Sequence, residues 1–353
     1  MSAVRPEIAT VLNKAASTHT LSKDEIVALL GTEDEETRSA LFRAADETRA
    51  RYLGDAVHLR AIIEFSSHCV RNCLYCGLRR DNRRLDRFRM RPGEIFEAAR
   101  RARAEGYRTI VLQSGEDPHY EVDALAGLIR RLKSELDVAV TLSLGDMTRE
   151  TYRLLRAAGA DRYLLKHETA DPALFARLRP GTMLSERLKR LVWLREAGYQ
   201  VGGGNLVGLP GQSLGSLAAD LLVLKRYQVH MAGIGPFIPN PDTPLAGSPP
   251  GSPALTLKVL AVTRLLLPRV HLPATTAVSV LHPEGRQLAL RCGANVVMPD
   301  LTPDPYCRHY DIYPGKARLG SEGPNSFAWW EKELARLGRQ VGKGRGHGWE
   351  AGR

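Results

Sequence analysis

The sequence predicts an α/β protein built on a (β/α)8 barrel of the TIM type, with a helical lead-in before it and a short extension after it. Two observations carry this. From Ala61 to Asp300 short apolar runs alternate with longer amphipathic ones, the pattern of repeated strand–helix units around a parallel sheet. The short runs number eight, over 61–66, 109–114, 138–144, 162–167, 200–207, 233–238, 270–277 and 295–298, which favours a closed barrel over an open doubly wound sheet.

Residues 6–52 read as several short helices, with an N-cap and an acidic first turn over 20–25, so 1–55 is expected as a lead-in packed on the barrel. Within the barrel, 56–318, the helices carry their own start signals. Pro92 precedes a helix over 93–105, Thr148 can cap 149–158, and Ser185 can cap 186–197. Beyond Gly315 the pattern fades, and 338–353 is rich in Gly and Arg with few apolar residues. We therefore expect 319–353 to be an extension that is partly disordered.

With 353 residues, 43% of them hydrophobic, the chain can bury one large core. It has no apolar run of 18 residues, and its N-terminus lacks the basic region, apolar stretch and cleavage site of a secretion signal, so we expect a cytoplasmic protein with no membrane span. The net charge of +11 comes largely from arginines spread along predicted helix faces, such as Arg100, Arg101, Arg103, Arg130 and Arg131. With only 6% aromatics and no basic–aromatic stripe, nucleic acid is not an expected partner.

Five cysteines are too few for a disulfide framework, and three of them fall within eight residues, in Ser66-Ser67-His68-Cys69-Val70-Arg71-Asn72-Cys73-Leu74-Tyr75-Cys76-Gly77, directly after the first strand. A [4Fe–4S] cube usually takes four thiolates, so Cys69, Cys73 and Cys76 would hold one and leave an iron open to bind something else. The end of a barrel strand is also where this fold places its chemistry. Zinc with His68 as fourth ligand is the competing reading. It is weaker, because no second ligand pair exists, Cys292 and Cys307 stand far away, and His68 adjoins Cys69. Three ordinary buried cysteines would not be expected to cluster in a loop flanked by Arg71, Asn72 and Arg79.

Cys-x3-Cys-x-aromatic-Cys after the first barrel strand resembles the signature of radical S-adenosylmethionine (SAM) enzymes. The resemblance implies a cofactor whose methionine amino and carboxylate groups chelate the open iron, and whose sulfonium is cleaved by an electron from the cluster to a 5′-deoxyadenosyl radical. It also implies roles at the matching positions. Tyr75 holds the aromatic position near adenine, and Gly115 and Glu116 lie in a Gly-Gly-Glu-like segment with Ser114 in place of the first glycine. Glu168 ends the fourth strand, where a carboxylate meets the ribose or the ammonium. Arg187 follows on the next helix and suits the carboxylate. Ser143 and Met231 match positions close to the cofactor. The glycines of 201–211 permit close backbone approach to a ligand, although bare they read equally as a turn.

The resemblance covers 60–316 and is closest to the biotin synthase-like subgroup, within it to the HydE group of [FeFe]-hydrogenase maturases. The phrases carrying it are Cys76-Gly77-Leu78-Arg79-Arg80, Leu165-Lys166-His167-Glu168-Thr169-Ala170, Gly208-Leu209-Pro210-Gly211-Gln212, Met298-Pro299-Asp300-Leu301-Thr302-Pro303 and Tyr310-Asp311-Ile312-Tyr313-Pro314-Gly315-Lys316. Sulfur insertion as in biotin synthase is disfavoured, because Gln113, Ser143 and Asn205 stand where ligands of a second cluster would be needed. The accessory C-terminal cysteine triad of many HydE proteins is also missing after Cys307.

The group implies a small anionic substrate derived from an iron–cysteine complex, an electron donor such as flavodoxin or ferredoxin, and other hydrogenase maturases as partners. Positions matching its substrate cavity are Arg60, Gln113, Arg162, Thr275, Thr276 and Tyr310. We expect Arg60 and Arg162 to serve an anion at the barrel mouth, because an inward arginine needs one to offset its burial. The alternative within the superfamily is an amino-acid mutase resembling methylornithine synthase.

Overall fold

Strands β1 (Ala56–Leu59) and β2 (Ala61–Ser66) run in line, separated only by Arg60. After them come β3 (Thr109–Ser114), β4 (Ala139–Ser143), β5 (Arg162–Leu164), β6 (Gln200–Gly203) with its continuation β7 (Leu206–Val207), β8 (Met231–Ala232) with its continuation β9 (Gly235–Pro236), and β10 (Val296–Val297). In this computed structural model, which describes residues 5–316 and 326–348, β2, β3, β4, β5, β6 and β8 pair in that order, all parallel. His271 bridges Met231, Pro273 bridges Val296, β10 pairs with β1, and Asp300 bridges Ile62. The ring is thereby closed with eight staves, a parallel barrel.

The seventh stave is the one the sequence overstates. Pro273 offers no N–H to the ladder, and the pairing ends when Ala274 N donates to Val296 O at 2.8 Å. Thr275 is then the N-cap of a helix, so neither Thr275 nor Thr276 lies in a strand. The expected strand over 200–207 is interrupted at Gly204, where the backbone passes so close to Gly233 that a Cβ would sit 2.1 Å from its carbonyl oxygen. β7 and β9 pair beyond this break and raise that side of the barrel mouth.

The helices are α1 (Pro6–Thr18), α2 (Lys23–Leu30), α3 (Glu35–Leu53), α4 (Pro92–Ala104), α5 (Val122–Leu136), α6 (Arg149–Ala157), α7 (Pro172–Leu178), α8 (Leu184–Glu196), α9 (Leu214–Arg226), α10 (Pro253–Leu266), α11 (Thr276–Leu281), α12 (Gly285–Arg291) and α13 (Phe327–Arg336). Pro92 opens α4 and Thr148 caps α6, as their chemistry predicts. Ser185 caps nothing, because α8 begins a residue earlier with Met183 at its N-cap. In the lead-in, Ser22 and Glu25 form a reciprocal capping box, α2 packs on α9, and α3 packs on α10. Apolar helix faces, such as Leu125, Ile129 and Leu132 of α5 or Leu217, Leu221 and Leu224 of α9, form the main core. Among the described residues no helix is long and apolar enough to cross a membrane.

Residues 338–348, read from composition as a tail without structure, form the floor of the barrel. Strand β11 (Gln340–Val341) pairs with β1, and the chain then crosses the N-terminal ends of the staves. There Arg162 Nη2 donates to Arg345 O at 2.7 Å and Gly346 O at 2.9 Å, Arg60 Nη2 donates to Gly346 O at 3.2 Å, and Thr109 Oγ1 donates to Arg345 O at 2.9 Å. Buried donors on the staves thus find acceptors on a segment that needs no apolar side chains of its own. Gly346 has φ 54°, and a Cβ there would lie 2.6 Å from His58 Nδ1, so the glycine richness serves close approach. The remaining part of that expectation, on 319–325 and 349–353, lies outside the described residues.

Candidate active site

At the opposite, C-terminal end of the staves, β2 runs into the cysteine loop. Cys69 Sγ accepts N–H groups from Arg71 at 3.4 Å and Glu116 at 3.3 Å. The loop is tied to three other elements, with Val70 N donating to Glu116 O at 2.9 Å, Leu74 N to Leu178 O at 2.9 Å, and Gly77 N to Ile312 O at 3.0 Å. Arg87 braces it from outside, donating to Ser67 O at 2.6 Å, Leu78 O at 3.2 Å and Arg79 O at 2.7 Å. Cys73 is buried and Cys69 and Cys76 are half-buried, all three as free thiols. Burial, and after it the charge of the neighbouring sulfurs, pushes the Cys76 thiol up; burial also raises Cys69. Three thiolates so placed need a cationic guest, which iron supplies.

Beside them lies a cavity of about 210 Å3, lined by Gln113, Ser114, Gly115 and Glu116 at and just after the end of β3, Ser143 and Gly145 at and after the end of β4, and Leu164, Lys166 and Glu168 at and after the end of β5. Tyr75, Arg179, Arg187, Tyr310 and Ile312 complete it. Gly115 is needed for packing, since a Cβ there would fall 2.1 Å from His68 O. Charged side chains of both signs line the cavity wall, with Asp146 and Arg190 just behind it. Glu116 meets Arg71 directly and lies 3.8 Å from Arg179, and Asp146 accepts from Arg187 at 2.8 Å with Arg190 at 3.4 Å. Tyr75 OH accepts from Arg179 Nη1 at 2.9 Å. Several polar atoms remain buried without a hydrogen bond, namely Nε of Arg179, Nε of Arg187 and Oε2 of Glu168, the last 3.6 Å from Lys166 Nζ. Glu168 has φ 65°, an uncommon backbone for a residue of its size. Unanswered guanidinium donors beside an unanswered carboxylate oxygen fit a guest carrying both a carboxylate and an ammonium group.

Of the residues predicted from sequence, Cys69, Cys73, Cys76, Tyr75, Gly115, Glu116, Ser143, Glu168, Arg187, Gln113 and Tyr310 come together on this one cavity. Arg60 and Arg162 do not. Arg162 opens β5 and Arg60 sits where β1 passes into β2, and both donate to Gly346 O on the segment that floors the barrel, so they stand toward its floor, not at its mouth. Arg60 Nη1 donates to Met231 Sδ at 2.9 Å, so Met231 also sits at that lower level. Thr276 Oγ1 accepts from Arg286, whereas Thr275 Oγ1 is buried without a partner. Sequence reasoning passed over Arg179, Asp146 and Lys166; only Lys166, inside the stretch Leu165-Lys166-His167-Glu168-Thr169-Ala170, carried any signal.

The Radical SAM superfamily model matches residues 63–224, the stretch from β2 through α9 that supplies all the cavity's lining but Tyr310 and Ile312. The [FeFe] hydrogenase maturase subunit HydE of Thermotoga maritima is 51% identical over 322 residues, covering 91% of this chain and 92% of that one. The chain belongs to the radical SAM superfamily. A radical SAM enzyme holds a [4Fe–4S] cluster and S-adenosylmethionine, and the cysteine loop and the two-signed cavity fit both. The 3-methylornithine synthase of Methanosarcina acetivorans is 32% identical, covering 80% of this chain and 81% of that one. Among solved structures, methylornithine synthase (PylB) superposes with a TM-score of 0.84 at 27% identity, covering 94% of this chain and 97% of the other. This radical SAM enzyme therefore shares a whole-chain fold with its relatives, lead-in and barrel alike.

Proposed function

We propose that this radical SAM enzyme acts in the cytoplasm in maturation of [FeFe]-hydrogenase, on a small anionic substrate derived from an iron–cysteine complex. The observation that carries the proposal is the identity to HydE, which runs through nearly the whole of both chains. When bound, the cluster supplies the one electron that breaks the sulfonium carbon–sulfur bond and yields the 5′-deoxyadenosyl radical. The chain's own residues bind and orient. Cys69, Cys73 and Cys76 hold the iron; Arg187 and Arg179 take the cofactor's carboxylate, Glu116 and Glu168 its ammonium and ribose hydroxyls, and Tyr75 flanks its adenine, with Gly115 and Ser143 shaping the pocket.

The substrate occupies the barrel interior between this cavity and the floor. Gln113 and Tyr310 meet it from above. Below, Arg60 is fully buried and Arg162 nearly so, neither makes an ion pair among the described residues, and Nε of Arg60 lacks a hydrogen-bond partner; above, past the end of the seventh stave, Oγ1 of Thr275 lacks one too. Two buried guanidinium groups side by side favour an anionic guest. Met231 borders this subsite from below and Thr276 from the mouth side, beyond the end of the seventh stave. A small redox protein, flavodoxin or ferredoxin, delivers the electron, and other maturases receive the product.

The test is to reconstitute the cluster anaerobically and add the protein to an in vitro maturation mixture that lacks only its HydE component. Appearance of hydrogenase activity, lost with Cys73→Ala, is the expected result. SAM cleavage without hydrogenase activation, accompanied by rearrangement of a basic amino acid, would move the enzyme to the methylornithine synthase reaction.

A further inference from the structure

The surface beside the cysteine loop is the most strongly charged stretch of the chain. Residues 79–91 contain seven arginines and two aspartates, a surplus of five positive charges out of a net +11 for the whole protein. The segment is fixed next to the loop, with Arg80 N donating to Arg71 O at 2.7 Å, Phe88 N to Ser67 Oγ at 2.9 Å and Met90 N to Phe65 O at 2.8 Å. Acids from other elements answer several of these arginines, but from beneath. Arg84 is 81% exposed while its partner Asp242 is 24% exposed, and Arg91 is 84% exposed while Glu94 is 31% exposed. Arg89 pairs with the buried Asp117, and Arg83 is exposed with no ion-pair partner among the described residues. Asp81 and Asp86 are the acids that reach solvent on the segment itself.

Next to this shelf stands Val70, between Cys69 and Arg71 and 48% exposed, one of four large apolar side chains exposed among the described residues. A second, Met183, is at the N-cap of α8, one turn before the cavity residue Arg187. An apolar centre beside a cationic rim is the anatomy of a transient protein interface. Val70 adjoins a cluster ligand in sequence, so a partner seated on it would approach the iron closely.

We propose that this face, Val70 with the arginine shelf of 79–91, docks an acidic one-electron carrier with an exposed low-potential flavin or iron–sulfur centre. The inference rests on the radical SAM reading and adds the place where the electron enters. In each docking event the carrier is oxidised by one electron and the cluster reduced by one; no bond forms and no proton moves.

The experiment uses full-length, reconstituted protein and reduced flavodoxin as probe, following cluster reduction by stopped-flow absorbance. We expect the second-order rate constant to fall about tenfold between low and moderate salt, and about tenfold at low salt in the Arg80→Glu/Arg83→Glu variant. Reduction by dithionite and the electron paramagnetic resonance spectrum of the reduced cluster should not change in that variant. An Arg130→Glu/Arg131→Glu variant, with the same change in net charge on α5, should keep the wild-type rate. The proposal is overturned if the shelf variant accepts electrons from flavodoxin at the wild-type rate, if the α5 variant slows equally, or if dithionite reduction slows in parallel. Absence of any cluster signal with dithionite in the wild-type protein would remove the cluster itself, and the proposal with it.

Discussion

Arg179 has no sequence motif to announce it, yet it joins the cysteine loop to the cavity. Its guanidinium is buried, donates to Tyr75 OH at 2.9 Å, reaches to 3.8 Å from Glu116, and keeps Nε unpaired. A planar fork with one donor pair committed and one free suits holding a loop and a carboxylate at once. We expect Arg179→Gln to weaken SAM binding about tenfold, or ~1.4 kcal/mol, with the cluster still assembled. Titrating the cofactor-induced shift of the reduced cluster's resonance spectrum measures this, and an unchanged titration would place Arg179 outside the binding site. Arg179→Lys should not rescue, since a single ammonium cannot reproduce the fork. The cysteine triad was legible because all three residues lie in one contiguous loop. Arg179 was not, because its partner Tyr75 is 104 residues away and the chain is rich in arginines whose burial sequence cannot reveal.

At the level of elements, the segment from Asp300 to Lys316 closes one side of the cavity, and one buried ammonium group pins it. Lys316 Nζ contacts Glu64 directly and lies 2.8 Å from Asp300, while Tyr310 and Ile312 between them line the cavity. Burial pushes the Glu64 carboxyl well up, with Asp300 adding to the rise and Lys316 opposing it. Removing the cation leaves two buried carboxyl groups facing each other. Lys316→Met should therefore cost about 3–5 kcal/mol in urea unfolding, and Glu64→Gln added to it should recover much of the loss. A double variant no more stable than the single one would mean that Lys316 acts through packing alone. The strands β2 and β3 were legible to the residue because each is a short, mostly apolar run, Ile62-Ile63 with Phe65 in one and Ile110-Val111-Leu112 in the other, and most of its residues are buried. The seventh stave was misread for the same reason in reverse, since its apolar run continues through Pro273 and Thr275 into a helix that buries the same residue types.

At the scale of the whole molecule, the barrel works by being closed at one end and chemically active at the other. The closed end depends on residues 338–348, which composition alone marked as unstructured. Their carbonyls answer Arg60 and Arg162, and their glycines let the backbone lie against His58. Composition failed here because a segment that contributes acceptors and close approach looks, residue by residue, like a segment that contributes nothing. Charge and acid–base behaviour at this floor follow from the same geometry.

Burial, then the charges of Arg60 and Arg162, push His58 down to about 4, and its ring centroid lies 5.1 Å from that of His271, which burial also lowers. His58 is thus neutral in the folded protein while the unfolded chain protonates it near its ordinary value of about 6.5. Between these two values the unfolded state binds more protons, so stability falls as pH drops from about 6.5 toward about 4. We expect the melting temperature to decline across that window and His58→Gln to flatten the decline, most clearly against a His282→Gln control at the C-cap of α11, away from the floor. Superimposable slopes for wild type and His58→Gln would assign the acid sensitivity to other groups. A chain ending at Leu337 carries the argument further. Without the floor, His58 regains water and its pKa returns upward, so the truncated protein should melt lower at pH 7 and yet lose less on acidification than the full chain. Both effects together would show that these glycine-rich residues are what keeps His58 out of water.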